Sequence, residues 1–176
     1  MTITVVVADD QAAVREGLVL LLDLLDDVTV VGAAPDGEEA VRLVAAYRPD
    51  VVLMDLRMPR LDGVAATARI RAEQPGTQVV VLSTYAEDAD ILAALGAGAL
   101  GYLTKDAGRV QLAQAVRAAA AGQSVLDPQV QRRLLAAASA GPGAAPGSPD
   151  GLTTREVEVL QLIAEEIGRA SCRERV

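Results

Sequence analysis

Along the first part of the chain, short runs of aliphatic and β-branched residues alternate with longer stretches in which apolar residues recur every three to four places. The runs Ile3 to Ala8, Val28 to Ala33, Val51 to Met54, Gln78 to Leu82 and Leu100 to Leu103 predict strands. They are almost continuously apolar, as strands covered on both faces must be. The periodic stretches near Ala12 to Leu25, Glu38 to Tyr47, Gly63 to Glu73, Ala89 to Leu95 and Arg109 to Ala121 predict helices. Asp36 with Glu39 three residues on fits a capping box, and Pro49 and Pro75 fall just beyond two predicted helix ends. Five strand-helix units in this order predict an α/β domain with a doubly wound, five-stranded parallel sheet. Its ligand site is expected at the carboxyl ends of the strands.

The pattern changes beyond this domain, which is expected to span 1–121. Residues 122–151 read as a short helix and a flexible linker: Asp127-Pro128 suits a helix start, and Ser139 to Gly151 is too rich in Gly, Pro, Ala and Ser to order itself. In 152–176, Thr153 and Glu156 form a second capping box before Val157, Leu160 and Ile163, predicting one amphipathic helix from Thr154 to Glu166.

Composition narrows the chemistry. The 176 residues include no histidine, no tryptophan, no phenylalanine and one cysteine. Without histidine there is no Ser-His-Asp or Cys-His catalytic group and no His-ligated zinc. Three tyrosines cannot build a stacking platform for single-stranded nucleic acid, and a lone cysteine, Cys172, argues against a disulfide framework. The net charge is −8, and residues 1–120 carry most of it, with ten basic and seventeen acidic side chains. That disfavours nucleic acid as a target of the first domain. The start lacks the basic residues of a secretory signal, and no apolar stretch reaches the roughly 20 residues that cross a bilayer. A cytoplasmic protein without membrane contact is therefore expected. Arg132 and Arg133 read as a solvated helix face.

Polar residues gather where the strands stop. Asp9 and Asp10 end the first, Asp55 follows the third, Ser83 the fourth and Lys105 the fifth. In a parallel sheet these ends share one edge, so the residues converge. Three neighbouring carboxylates repel and call for a cation. Oxygen donors alone suit a hard divalent ion, Mg²⁺ above all. A lysine and a hydroxyl beside them would complete a receptor for a phosphoryl group, with Asp55 as nucleophile. A dinucleotide site is excluded, because Asp9 to Gly17 lacks the G-x-G-x-x-G pattern and sets two negative charges where a pyrophosphate would lie.

The motifs Asp9-Asp10, Asp55 to Gly63, Ser83-Thr84 and Gly101 to Asp106 together resemble the receiver domain of bacterial two-component response regulators, over residues 1 to about 120. Leu152 to Glu165 is similar to the opening of a LuxR-type helix-turn-helix domain, which points to the NarL/FixJ subfamily. The resemblance implies a flavodoxin-like fold with strand order 2-1-3-4-5. It implies that Asp55 accepts a phosphoryl group from a phosphohistidine on a sensor histidine kinase, that Asp10 and Asp55 bind Mg²⁺ directly, and that Asp9 acts through water with the backbone carbonyl of Arg57 as a further ligand. Lys105 would pair with one phosphoryl oxygen and Ser83 with another, and Tyr102 would turn inward as Ser83 moves. It implies a phosphorylation-dependent homodimer that regulates transcription, and a phosphoacceptor acting in its own phosphoryl transfer rather than an enzyme.

The resemblance breaks after Glu165. Only 25 residues follow Gly151, and the tail from Ile167 to Val176 does not match further helices. A recognition helix that reads the major groove is missing, so the chain is expected to be a truncated or out-of-frame form that does not bind DNA specifically, although the family does. The rival is a receiver serving alone as an interaction module or phosphate sink. A hydrolase of the haloacid-dehalogenase type would carry a second aspartate two residues after the nucleophile, where this chain has Arg57.

Overall fold

The computed structural model describes residues 1–84, 87–140 and Ile163. The chain divides into two compact units, Met1–Asp127 and Pro128–Val176. The first contains β1 (Ile3–Ala8), α1 (Ala12–Asp23), β2 (Val28–Ala34), α2 (Gly37–Tyr47), β3 (Val51–Asp55) and α3 (Gly63–Glu73). It continues through β4 (Gln78–Ser83), α4 (Asp88–Gly96), β5 (Gly101–Thr104), α5 (Arg109–Ala120) and β6 (Val125–Leu126). In the second unit, α6 spans Pro128–Ser139, with proline at its first position where no intrahelical N–H is needed. The linker read as Ser139 to Gly151 starts later than expected, because Ser139 still belongs to α6 and its hydroxyl donates to the Leu135 carbonyl at 2.7 Å; the rest of it, the second capping box and the tail fall in 141–162 and 164–176, outside the described residues.

The five expected strands pair in parallel in the order expected, and a sixth extends the sheet to β2-β1-β3-β4-β5-β6. The five-strand expectation is corrected by β6, which joins the sheet through Gly101↔Val125 and Tyr102↔Leu126. Two residues carry no periodicity, so backbone pairing with β5 makes this strand rather than local pattern. It is tied down further where the Asp127 N–H donates to the Tyr102 carbonyl at 2.9 Å and the Ser124 hydroxyl donates to Leu100 at 2.9 Å.

Alternation along the strands sends side chains to two apolar layers. Val5, Val7, Val51, Leu53, Val80, Leu82 and Leu103 form one core with Leu22 of α1 and Leu112, Ala115, Val116 and Ala119 of α5. Val6, Val52, Met54, Val79, Val81 and Tyr102 face the other way, and α2 and α3 supply the buried Ala40, Val44, Ala66 and Ile70. Strand order reverses direction between β1 and β3, and a crevice opens at such a switch point beyond the strand ends.

Two Asp-Gly pairs shape the loops beside that crevice. Asp36 caps α2 by accepting from the Glu39 N–H at 2.9 Å, the first half of the expected capping box; Glu39 pairs with Arg42. Asp62 caps α3 by accepting from the Ala65 N–H at 2.8 Å. The glycine after each allows a close approach. A Cβ on Gly63 would stand 2.0 Å from the Asp55 carbonyl oxygen, and one on Gly37 would stand 2.1 Å from that of Leu61. Gly63 N–H donates to Leu56 and Gly37 N–H to Leu61, at 2.9 and 3.1 Å, which folds residues 56–61 back over the two helix starts. Among the described residues, no helix is long and apolar enough to cross a membrane.

Candidate functional site

Strand register brings the acidic residues together. Ala8 lies opposite Met54, so the next step sets Asp9 level with Asp55; Asp55 lies opposite Leu82, so Ser83 stands one residue further along. Ser83 is in turn opposite Thr104, which places Lys105 just beyond it, and the Lys105 N–H donates to the Ser83 carbonyl at 2.9 Å. The residues singled out in the sequence therefore share one edge of the sheet.

Asp9, Asp10 and Asp55 each present a carboxylate oxygen within 4.8 Å of the others. Asp9 and Asp55 are buried and Asp10 is exposed. Lys105 Nζ bridges the two buried carboxylates, 2.7 Å from Asp9 Oδ2 and 3.2 Å from Asp55 Oδ1. Three negative charges against one positive leave the cluster short of cations. Hard oxygen donors, with one carboxylate open to water, fit a divalent ion that retains part of its hydration shell.

The same imbalance appears in the protonation equilibria. Burial pushes the Asp55 carboxyl above its usual value, Asp9 and Asp10 add to the rise, and Lys105 opposes it. Burial also works to lower the Lys105 ammonium, but its contacts with Asp9 and Asp55 outweigh that and raise it. Lys105 is thus held charged between the carboxylates.

Ser83 is buried and Tyr102 is completely so, the largest fully buried side chain among the described residues. The ring stands in the inward position, with its hydroxyl hydrogen-bonded to Ser83 rather than facing water. Burial raises its phenol above the ordinary value, and the Ser83 bond partly offsets this. Arg57 lies two residues past Asp55, and its side chain reaches outward to pair with Asp90 in the first turn of α4 at 3.2 Å. Thr84 is exposed.

Sequence reasoning did not single out three contacts around this site. Arg15 Nη1 donates to the Asp9 carbonyl at 2.7 Å. Arg57 joins the Asp55 loop to α4 through Asp90. The buried Asp127 accepts from Thr104 Oγ1 at 3.2 Å and Gln111 Nε2 at 3.3 Å, next to Lys105. Each depends on a rotamer or on a tertiary approach, and neither composition nor spacing separates these residues from solvated surface charges.

Comparison with known proteins gives the family. Residues 5–117 match the response regulator receiver domain. The chain is 40% identical over 164 residues to the transcriptional regulatory protein LiaR of Bacillus subtilis, covering 93% of this chain and 77% of LiaR. Among solved structures, it is similar to the receiver domain of NarL from Mycobacterium tuberculosis, with a TM-score of 0.67 and 42% identity over 69% of this chain and 98% of that one. It is also similar to a LuxR-family response regulator from Aurantimonas, with a TM-score of 0.74 and 33% identity over 78% of this chain and 98% of that one. A receiver match over most of the first unit, with a relative aligned along most of both chains, makes this protein a member of the two-component response regulator family.

Proposed function

We propose that Asp55 receives a phosphoryl group from the phosphohistidine of a sensor histidine kinase, and that Ser83 and Tyr102 read its arrival. The observation that carries this reading is the meeting of three carboxylates with Lys105 Nζ at the carboxyl edge of a parallel sheet. A carboxylate oxygen of Asp55 attacks phosphorus in line as the donor's N–P bond breaks. The electron pair leaves with the imidazole nitrogen, and Asp55 becomes an acyl phosphate. Asp10 and Asp55 would hold Mg²⁺ directly, with Asp9 through water and the Arg57 backbone carbonyl as a further ligand. When bound, the ion supplies positive charge to the oxygens of the transferring group.

The chain's own residues do the rest. Asp55 is fixed at its strand end, so the nucleophile is positioned before the donor arrives. Lys105 can exchange its Asp55 contact for a phosphoryl oxygen while remaining close to Asp9. The Ser83 hydroxyl turns to another phosphoryl oxygen, which alters its bond to Tyr102 at the face of α4, β5 and α5. A ligand that favours one of two packings shifts their populations, and here that shift governs a homodimer in the cytoplasm and, as the name of the LiaR relative suggests, transcription. The protein is a phosphoacceptor that takes part in its own transfer rather than a turnover catalyst.

Incubation with a small-molecule phosphodonor and Mg²⁺ tests the assignment. Intact mass spectrometry should show one added phosphoryl group on the wild type and none on Asp55→Asn. Equal labelling of the two would overturn it.

A further inference from the structure

Within the acidic cluster Asp10 is held differently from its neighbours. Its carboxylate stands within 4.8 Å of those of Asp9 and Asp55, yet the residue is exposed. Among the described residues it has no hydrogen bond or ion pair of its own. Asp9, by contrast, is held at three of its four polar atoms by hydrogen bonds. Its N–H donates to the Ala34 carbonyl at 3.0 Å, Oδ1 accepts from the Gln11 N–H at 2.9 Å, and its carbonyl accepts from Arg15 Nη1 at 2.7 Å, while among the described residues the buried Oδ2 has no hydrogen bond and only the Lys105 charge 2.7 Å away.

The last bond bears on Asp10. The Asp9 carbonyl lies in the rigid peptide plane that also contains Asp10 N and Cα. Fixing that carbonyl fixes the positions of Asp10 N and Cα, and so the point from which the Asp10 side chain leaves the backbone. Arg15 can do this because it is itself fixed: it sits in α1, half-buried, with its N–H bonded to the Gln11 carbonyl at 2.9 Å.

We propose that Arg15 is a positioning residue for the cation site, holding the Asp9-Asp10 peptide so that the otherwise unsupported Asp10 carboxylate faces Asp55. The proposal rests on the reading of this cluster as a divalent cation site. It makes a prediction opposite in sign to simple electrostatics. Removing a cation from beside three carboxylates should tighten binding of a dication, because less positive charge competes for them. Removing a support of the ligand set should weaken it, and residues that orient metal ligands are commonly worth about tenfold or more in affinity.

Calorimetric titration of the full chain with Mg²⁺ alone separates the two. Lys105→Met serves as the charge control, since Lys105 touches the carboxylates themselves, and it should bind Mg²⁺ more tightly than wild type. Arg15→Ala should bind about tenfold more weakly. Arg15→Gln, which keeps an N–H donor but no charge, should recover most of the loss. In phosphodonor kinetics, Arg15→Ala should need more Mg²⁺ for half-maximal rate and approach the wild-type rate at saturation. Unchanged or tighter Mg²⁺ binding by Arg15→Ala, or Arg15→Gln no better than Arg15→Ala, would overturn the positioning role. Wild-type protein that binds no Mg²⁺ would instead overturn the cation site beneath it.

Discussion

Replacing Lys105 by methionine keeps the approximate length of the side chain and removes the one positive charge, among the described residues, that is paired with the buried carboxylates of Asp9 and Asp55. Breaking a buried ion pair by deleting one partner costs roughly 3–5 kcal/mol, because the other charge stays buried and uncompensated. Here the Lys105 side chain is 14% exposed and Asp10 opens the cluster to water, so the loss should fall at or just below that range, about 2–3 kcal/mol at pH 7. For a unit of this size each kcal/mol moves the melting temperature by about 3–5 °C, which gives a drop of roughly 6–15 °C by far-ultraviolet circular dichroism. The more specific expectation concerns Mg²⁺. A ligand that binds only the folded protein stabilises it according to its concentration relative to Kd. With Lys105 gone the carboxylates bind the ion more tightly, so a fixed Mg²⁺ concentration should raise the melting temperature of Lys105→Met by more than it raises that of the wild type. A melting temperature unchanged by the substitution, or an equal or smaller Mg²⁺ increment in the variant, would refute the reasoning that Lys105 and the ion compensate the same charges.

A Cβ on Gly63 would collide with backbone of Asp55 and Leu56, so Gly63→Ala should cost about 1–3 kcal/mol in chemical denaturation and slow phosphoryl uptake. Gly17→Ala, in open space on α1, should instead gain roughly 0.4–1 kcal/mol. Asp127→Ala strips a buried acceptor from Thr104 and Gln111, and denaturant titration should show a loss of about 1–3 kcal/mol. Because the Tyr102 phenol is raised in the folded protein, its contribution is intact below the unfolded value of about 10 and is lost as pH climbs through the folded one. Stability should therefore fall above about pH 10 more steeply in the wild type than in Tyr102→Phe, and identical alkaline profiles would contradict the burial of that hydroxyl.

Much of the receiver was legible in the sequence because parallel strands align their ends. Once the apolar runs ending at Ala8, Met54 and Leu82 were read as neighbouring strands, Asp9, Asp55 and Ser83 had to meet, and the register Ala8↔Met54 and Asp55↔Leu82 brings Asp9 level with Asp55 and sets Ser83 one residue beyond. Helix ends followed where a side chain declared them, as at Asp36. At α1 the apolar periodicity runs on to Leu25, but the helix stops at Asp23, and Leu25 N–H turns back to the Leu22 carbonyl. The sixth strand was illegible for a different reason. Val125 and Leu126 become a strand through the Tyr102 backbone beside them, which is a tertiary fact. The side-chain contacts of Arg15 and Arg57 were hidden in the same way: the first acts through a carbonyl six residues back, the second through Asp90, 33 residues on.

Asp55 is proposed as the residue that carries the phosphoryl group. Acyl phosphates are reduced by borohydride to the corresponding alcohol, which leaves homoserine in place of the phosphorylated aspartate. Peptide sequencing by mass spectrometry after phosphodonor treatment and reduction should find homoserine at position 55 of the wild type, dependent on Mg²⁺, with Asp9 and Asp10 unchanged. Homoserine at position 9 or 10, or none at position 55 in protein that has gained a phosphoryl group, would contradict the account.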